Sequence, residues 1–313
     1  MRKFLRALVL IAALALIGTG AYSAIKVYLG YKEGRDEYKN LSGGYTTLKA
    51  NEDGVEAESE TEISTEIMVD ENGVETIVRK VEIKRTVIPA DAPQRREIDW
   101  EGLLAQNEDI IAWIDIPAID ASYPVMQSED NDYYLHRGFD REYLFAGCLF
   151  LDYHNNSNFR DYHSILYGHN MRDGSMFGRL RELRSQENVD ANPYIWIYTP
   201  ETDILCRIFS VHNTGVNSET YTISFSDMET WSGWIERQIE ASQITSPDYP
   251  TTDDRIVTLS TCVGDDSQRE TVLTFEVARI KTGTSKDDIL ARLYPEMESE
   301  SERISENTGW IRI

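Results

Sequence analysis

The chain has 313 residues and carries 54 acidic against 31 basic side chains, a net charge of −23 at neutral pH. Such an anionic surface argues against nucleic acid and against adhesion to a membrane through a polybasic patch, and it favours amine-bearing partners. The three cysteines, Cys148, Cys206 and Cys262, have no C-x-x-C spacing, so neither a zinc site nor a redox dithiol is signalled, and no metal or cofactor is called for.

Arg2, Lys3 and Arg6 precede a charge-free apolar run from Ala7 to Ile25. At 1.5 Å per residue that run is roughly 28 Å long, about the thickness of a hydrocarbon core. Residues 1–31 are therefore expected to form a cytoplasmic basic end and a single transmembrane helix, with the rest of the chain outside the cell membrane. A cleaved signal peptide is the competing reading, but the run is long for one. Residues 32–96 are polar and acidic, with glutamates at 52, 56, 58, 60, 62 and 66, and read as an extracellular stalk. Within it, Ile63–Val69 and Val74–Ile83 flank Asn72-Gly73, a hairpin signal over residues 62–84. A folded domain is expected over 97–283, followed by an acidic C-terminal tail over 284–313 with helical spacing at Ile289, Leu290 and Leu293.

Inside the domain, Asp99 can cap a short helix whose Trp100, Leu103 and Leu104 share a face. Strands are predicted at Ile110–Ile116, at Val125-Met126, over Leu144–Tyr153 and over Ser164–Tyr167, and a helix over Met176–Leu183. Tyr194–Tyr198 and Ile204–Val211 should pair across Pro200-Glu201-Thr202-Asp203. Ser226-Asp227-Met228-Glu229 reads as a capping box opening an amphipathic helix, with Trp231, Trp234, Ile235 and Ile239 on one face. Two strands, Val257–Cys262 and Val272–Ile280, follow. About eight short strands with few helices make the domain mainly β, a barrel or rolled sheet with added helices, and periodicity leaves its topology open.

The candidate chemistry centres on Val257–Cys262, an apolar β-branched run that delivers a thiol to the end of a strand. Cys148 and Cys206 lie inside apolar runs and read as core. His169 sits in a Gly-His-Asn turn after the strand Ser164–Tyr167, and Arg269 follows Cys262 by seven positions in what reads as a loop from Val263 to Arg269. Acyl transfer by cysteine needs a thiolate, a proton carrier and a donor to the oxyanion, roles that Cys262, His169 and Arg269 could fill. Taken singly, each has a plainer reading as a core thiol, a satisfied histidine or a solvated charge. Arg279 competes with Arg269 for the third role.

Thr258-Leu259-Ser260-Thr261-Cys262, with Tyr167-Gly168-His169-Asn170-Met171 and Asp173-Gly174-Ser175-Met176-Phe177, resembles the cysteine and histidine segments of class B sortases. Trp113-Ile114 to Pro117, Tyr123-Pro124-Val125 and Asn131 to Leu135 extend the resemblance over roughly Ile98 to Ile280. The resemblance implies an eight-stranded sortase-type β-barrel and a transpeptidase on a Gram-positive cell surface. Cys262 would form a thioester after Thr in an LPxTG-like or NPxTN-like sorting signal of a surface protein. His169 would shuttle the proton, and an amine of a cell-wall precursor or a pilin lysine would accept the acyl group. It further implies that Arg269 holds the oxyanion or the substrate backbone, that Asn131, Leu135, Tyr167 and Ser260 line the signal groove, and that the amide of Val263 lies near the oxyanion. A surface cysteine protease and a catalytically inactive, membrane-tethered binding module are the alternatives.

Overall fold

The computed structural model describes residues 2–49, 56–69, 75–264 and 267–294; the side chains of residues 2–11, 13, 56–69 and 75–87 lie outside that description. In chain order the elements begin with α1 (Arg2–Tyr45), β1 (Thr46–Leu48), β2 (Glu56–Val69), β3 (Glu75–Val87), β4 (Arg96–Ile98) and α2 (Trp100–Gln106). Then come β5 (Ile110–Ile116), β6 (Ala121–Met126), β7 (Leu149–Leu151), β8 (His163–Tyr167), α3 (Gln186–Ala191), β9 (Tyr194–Tyr198) and β10 (Thr202–Gly215). The remaining elements are α4 (Met228–Glu240), β11 (Ile256–Val263), β12 (Gln268–Lys281) and α5 (Lys286–Leu293).

Strands β5 to β12 close into an eight-stranded barrel in the order β5-β6-β7-β8-β11-β12-β10-β9. Two joins are parallel, β6 with β7 and β8 with β11. β5 pairs with β6 and β9 on its two edges, every residue of the strand is buried, and Trp113 and Ile114 have no exposed surface. Its one charged residue, Asp115, is buried with the rest and paired with Arg96 at 3.0 Å, so the strand carries no solvent-facing polar side chain. A smaller cluster lies under α4, where Trp231 and Trp234 meet Phe209, Leu273 and Phe275. The cap of α4 is Asp227, whose side chain accepts from the Thr230 amide at 2.8 Å.

Several local expectations shift. The strand expected over Leu144–Tyr153 shortens to β7 because Gly147 turns the chain with φ +54°. The helix expected over Met176–Leu183 is a 3-10 turn at Leu180–Arg184 leading into α3, since Gly174 and Met176 both have positive φ and cannot sit inside a helix. The start of the acidic segment read as a stalk is packed: α1 runs through it to Tyr45 and buries Tyr38 and Leu41. The Tyr38 hydroxyl donates to the Gly147 carbonyl, the Glu37 carboxylate accepts from the Phe139 amide at 2.8 Å, and β1 pairs with β4. The hairpin of β2 and β3 pairs from Glu56↔Val87 to Val69↔Glu75, longer than the sequence indicated, and its Asn72-Gly73 turn lies outside the described residues. So does the tail beyond residue 294. The apolar run Ala7–Ile25 lies within α1, and among the described residues no helix is long and apolar enough to cross a membrane.

Two histidines are buried in the β-domain. His163 donates from Nδ1 to the Thr222 carbonyl at 2.8 Å and accepts at Nε2 from Thr258 at 2.7 Å; His212 lies beside Ser210 and Thr220. Burial pushes both down to about 4. Each is neutral in the folded chain, so its contribution is fully present above the unfolded value near 6.5 and is lost as pH falls towards 4. The expected loss is on the order of 3 kcal/mol per histidine. Urea midpoints measured from pH 7.5 to 4 should fall for the wild-type chain and fall less for His212→Gln, which cannot take up a proton.

Candidate active site

The parallel join of β8 and β11 organises the site. Its register runs from Ile256↔His163 to Ser260↔Tyr167, and both strands continue to the same rim of the barrel. Beyond the last pair, the Gly168 amide donates to the Ser260 carbonyl at 3.1 Å and the Thr261 hydroxyl donates to the Gly168 carbonyl at 2.7 Å. The Asn170 side-chain amide donates to the Cys262 carbonyl at 2.7 Å. His169 and Cys262 are therefore equivalent positions on the two strand ends. Gly168 is required at the join, because a Cβ there would drive into Leu149 and Phe177.

On its other side β11 pairs antiparallel with β12, and Arg269 stands directly opposite Cys262. The loop expected from Val263 to Arg269 is thus shorter, with β12 already formed at Gln268. Arg279, the competing arginine, is buried at the far end of β12, roughly 30 Å along the strand. There it is paired with Glu276 at 2.7 Å and donates to the Phe159 carbonyl at 2.8 Å.

His169 is held by the 3-10 turn Tyr133–His136. Its Nε2 lies 2.7 Å from the Leu135 carbonyl, and a carbonyl only accepts, so Nε2 carries a hydrogen and Nδ1 is the nitrogen whose protonation can change. The ring of His136 stacks on that of His169 with centroids 5.1 Å apart. Gly147 supports this turn from below: its φ of +54° suits glycine, and a Cβ there would collide with the carbonyls of Leu135 and Tyr134.

Cys262, Val263, Arg269, Asn131, Leu135 and Tyr167 are all partly exposed at this rim, and Val263 closes β11 opposite Gln268. Ser260 is buried, with its hydroxyl 2.8 Å from that of Tyr221. Tyr221 was not singled out by its sequence. Its ring stacks on Tyr167 at 6.4 Å. Burial raises its phenol and Cys262 adds to that, while the Ser260 hydrogen bond and the charge of Arg269 oppose it. The Tyr167 phenol is likewise raised by burial and by Asp152 and opposed by Arg269. The only hint of Tyr221 in the sequence is the local cap before it, where Ser218 accepts from the Thr220 amide at 3.2 Å.

A sortase domain model matches residues 114–275, which contain Cys262, His169, Arg269 and the side chains around them but not Arg279. The chain belongs to the sortase family, class B. It is 36% identical over 156 residues to the sortase B of Listeria monocytogenes, covering 50% of this chain and 63% of that protein, so it spans less than two thirds of that relative's length. To the sortase B of Staphylococcus aureus it is 30% identical over 172 residues, 55% of this chain and 70% of that one. Among solved structures, sortase B of Bacillus anthracis superposes with TM-score 0.59 at 26% identity, covering 80% of this chain and 99% of that one. That of Clostridium perfringens superposes with TM-score 0.54 at 31% identity, covering 56% and 98%.

The three sortase thiols differ in environment. Cys148 and Cys206 are fully enclosed, and burial pushes the first well up and the second up to about 12. Iodoacetamide on the folded chain should modify Cys262 and spare Cys148 and Cys206 until denaturant is added, as read by peptide mass spectrometry.

Proposed function

We propose that this sortase is a membrane-anchored cysteine transpeptidase that cleaves the C-terminal sorting signal of a surface protein and passes the acyl group to an amine. The observation that carries the reading is the pairing of Cys262 with Arg269 at the rim where β8 delivers His169. Cys262 attacks the carbonyl after Thr in an LPxTG-like or NPxTN-like signal, and the Sγ–C bond forms as the carbonyl oxygen becomes an oxyanion. Arg269 and the amide of Val263 are the donors assigned to that oxyanion. His169 gives its Nδ1 proton to the departing amine as the C–N bond breaks, leaving a thioester. The same nitrogen then takes a proton from the incoming amine of a cell-wall precursor or a pilin lysine, and the thiolate leaves. Asn131, Leu135, Tyr167 and Ser260 are assigned to the signal groove. Relatives described as a Staphylococcus aureus sortase B-substrate complex, with TM-score 0.55 and 27% identity, and as sortase B complexed with triglycine, with TM-score 0.55 and 28% identity, support a peptide donor and an amine acceptor.

Acylation kinetics on folded variants test this reading. Cys262→Ala should abolish cleavage, and Arg269→Ala should lower turnover about 10²- to 10³-fold, the usual cost of removing one oxyanion donor. Arg269→Lys should rescue poorly, because a point charge lacks the planar fork. Arg279→Ala should destabilise the chain while leaving turnover per folded molecule near normal. An added oligoglycine or other amine, a lysine side chain included, should divert the product from free acid to amide, and failure of all of them to do so would recast the protein as a protease.

Anchoring rests on α1, where Leu14, Leu16, Ile17 and Ile25 expose 66%, 74%, 68% and 58% of their surface. With Arg2, Lys3 and Arg6 on the cytoplasmic side, the barrel lies outside the cell. Protease added to intact protoplasts should digest or release the domain, and complete protection would overturn the orientation.

A further inference from the structure

Asp152, immediately after β7, is 5% exposed, yet none of the proposed steps uses it. Its carboxylate gathers donors from three segments. One oxygen accepts from the Asn131 side-chain amide at 2.9 Å and from the Tyr167 hydroxyl at 3.1 Å. The other accepts from the His154 amide at 3.0 Å and from His154 Nδ1 at 2.9 Å. Burial alone would push this carboxyl up, and the four hydrogen bonds together outweigh burial and hold it below its ordinary value. An ionised carboxylate can only accept.

That restriction orients both neighbours. The Asn131 amide must aim its nitrogen at Asp152, and its oxygen accepts from the Tyr153 amide at 3.1 Å. A flip would set oxygen against carboxylate. One N–H and one lone pair then remain on Asn131, the complement of a peptide group. The Tyr167 hydroxyl directs its hydrogen to Asp152, so towards the groove it can only accept. We propose that Asp152 is a positioning residue that sets the donor and acceptor pattern of the signal groove through Asn131 and Tyr167, and so governs binding of the peptide backbone. This rests on the reading of Asn131 and Tyr167 as groove residues.

The test uses the full chain with Asp152→Asn, Asp152→Glu, Asn131→Ala and Tyr167→Phe, together with Asp152→Asn in the Asn131→Ala, Tyr167→Phe background. Measured are kcat and KM for a sorting peptide and the rate of Cys262 alkylation. Asp152→Asn should raise KM about tenfold, the cost of a hydrogen bond to a charged group, with kcat and alkylation nearly unchanged. In the double background it should add nothing, because the groups through which it acts are gone. Asp152→Glu keeps the acceptor and should retain a KM between the two; it carries the same test should Asp152→Asn fail to fold. Unchanged KM in both Asp152 variants beside a raised KM in Asn131→Ala would overturn the role of Asp152 alone. Unchanged KM in Asn131→Ala and Tyr167→Phe would overturn the groove reading and this inference with it. A joint fall in kcat and alkylation rate would mark a merely structural residue.

Discussion

β11 lies between a parallel neighbour and an antiparallel one, and the position of each side chain proposed for catalysis follows from that arrangement. A parallel pair brings two strand ends to the same side, so His169 and Cys262 share a rim although 93 positions separate them. The chain between them returns through β9, β10 and α4, as a parallel crossover must. The antiparallel turn into β12 then sets Arg269 across from the thiol. These placements are backbone register, and a slip of one residue would send Cys262 to the opposite face of the sheet.

The register is reinforced by interactions that do not touch the reacting atoms. Glu270, next to Arg269, is buried and forms an ion pair with Arg184, which also donates to Asn213. This ties the segment after His169 to the first residues of β12. Removing one partner of such a pair leaves an uncompensated buried charge, so the constraint is strong even where the net stabilisation of the pair is small. On the other flank, Tyr38 of α1 holds the Gly147 carbonyl, and the backbone of that glycine lies against the turn that supports His169.

Elements whose burial is complete were readable residue by residue. Ile110–Ile116 and Tyr194–Tyr198 coincide with β5 and β9, the first bounded by Pro117 and the second by Pro200, and both are buried along their whole length. The cysteine strand was legible for the same reason, whereas the closed eight-stranded barrel followed from the resemblance to class B sortases, since periodicity leaves the order of the strands open. The start of β12 was not: Gln268-Arg269-Glu270 is polar, but a ladder bonds through the backbone and tolerates such side chains at a barrel end. The packed part of α1 was hidden by acidic neighbours, with Gly34, Tyr38 and Leu41 marking the buried face. Asp152 and Tyr221 have no periodic signature, since their partners come from segments distant in sequence.

The acceptor that fixes the His169 tautomer is the main-chain oxygen of Leu135. No side-chain replacement deletes a carbonyl, so scanning the turn with alanine would pass over this contact. What the chain must preserve there is a shape, the tight turn over Gly147, and position 135 can change identity while the imidazole keeps its orientation. A backbone ester in place of the peptide between Leu135 and His136 weakens that acceptor without altering any side chain, and so isolates its contribution to the proton transfer proposed for His169, one that the genetic code cannot remove.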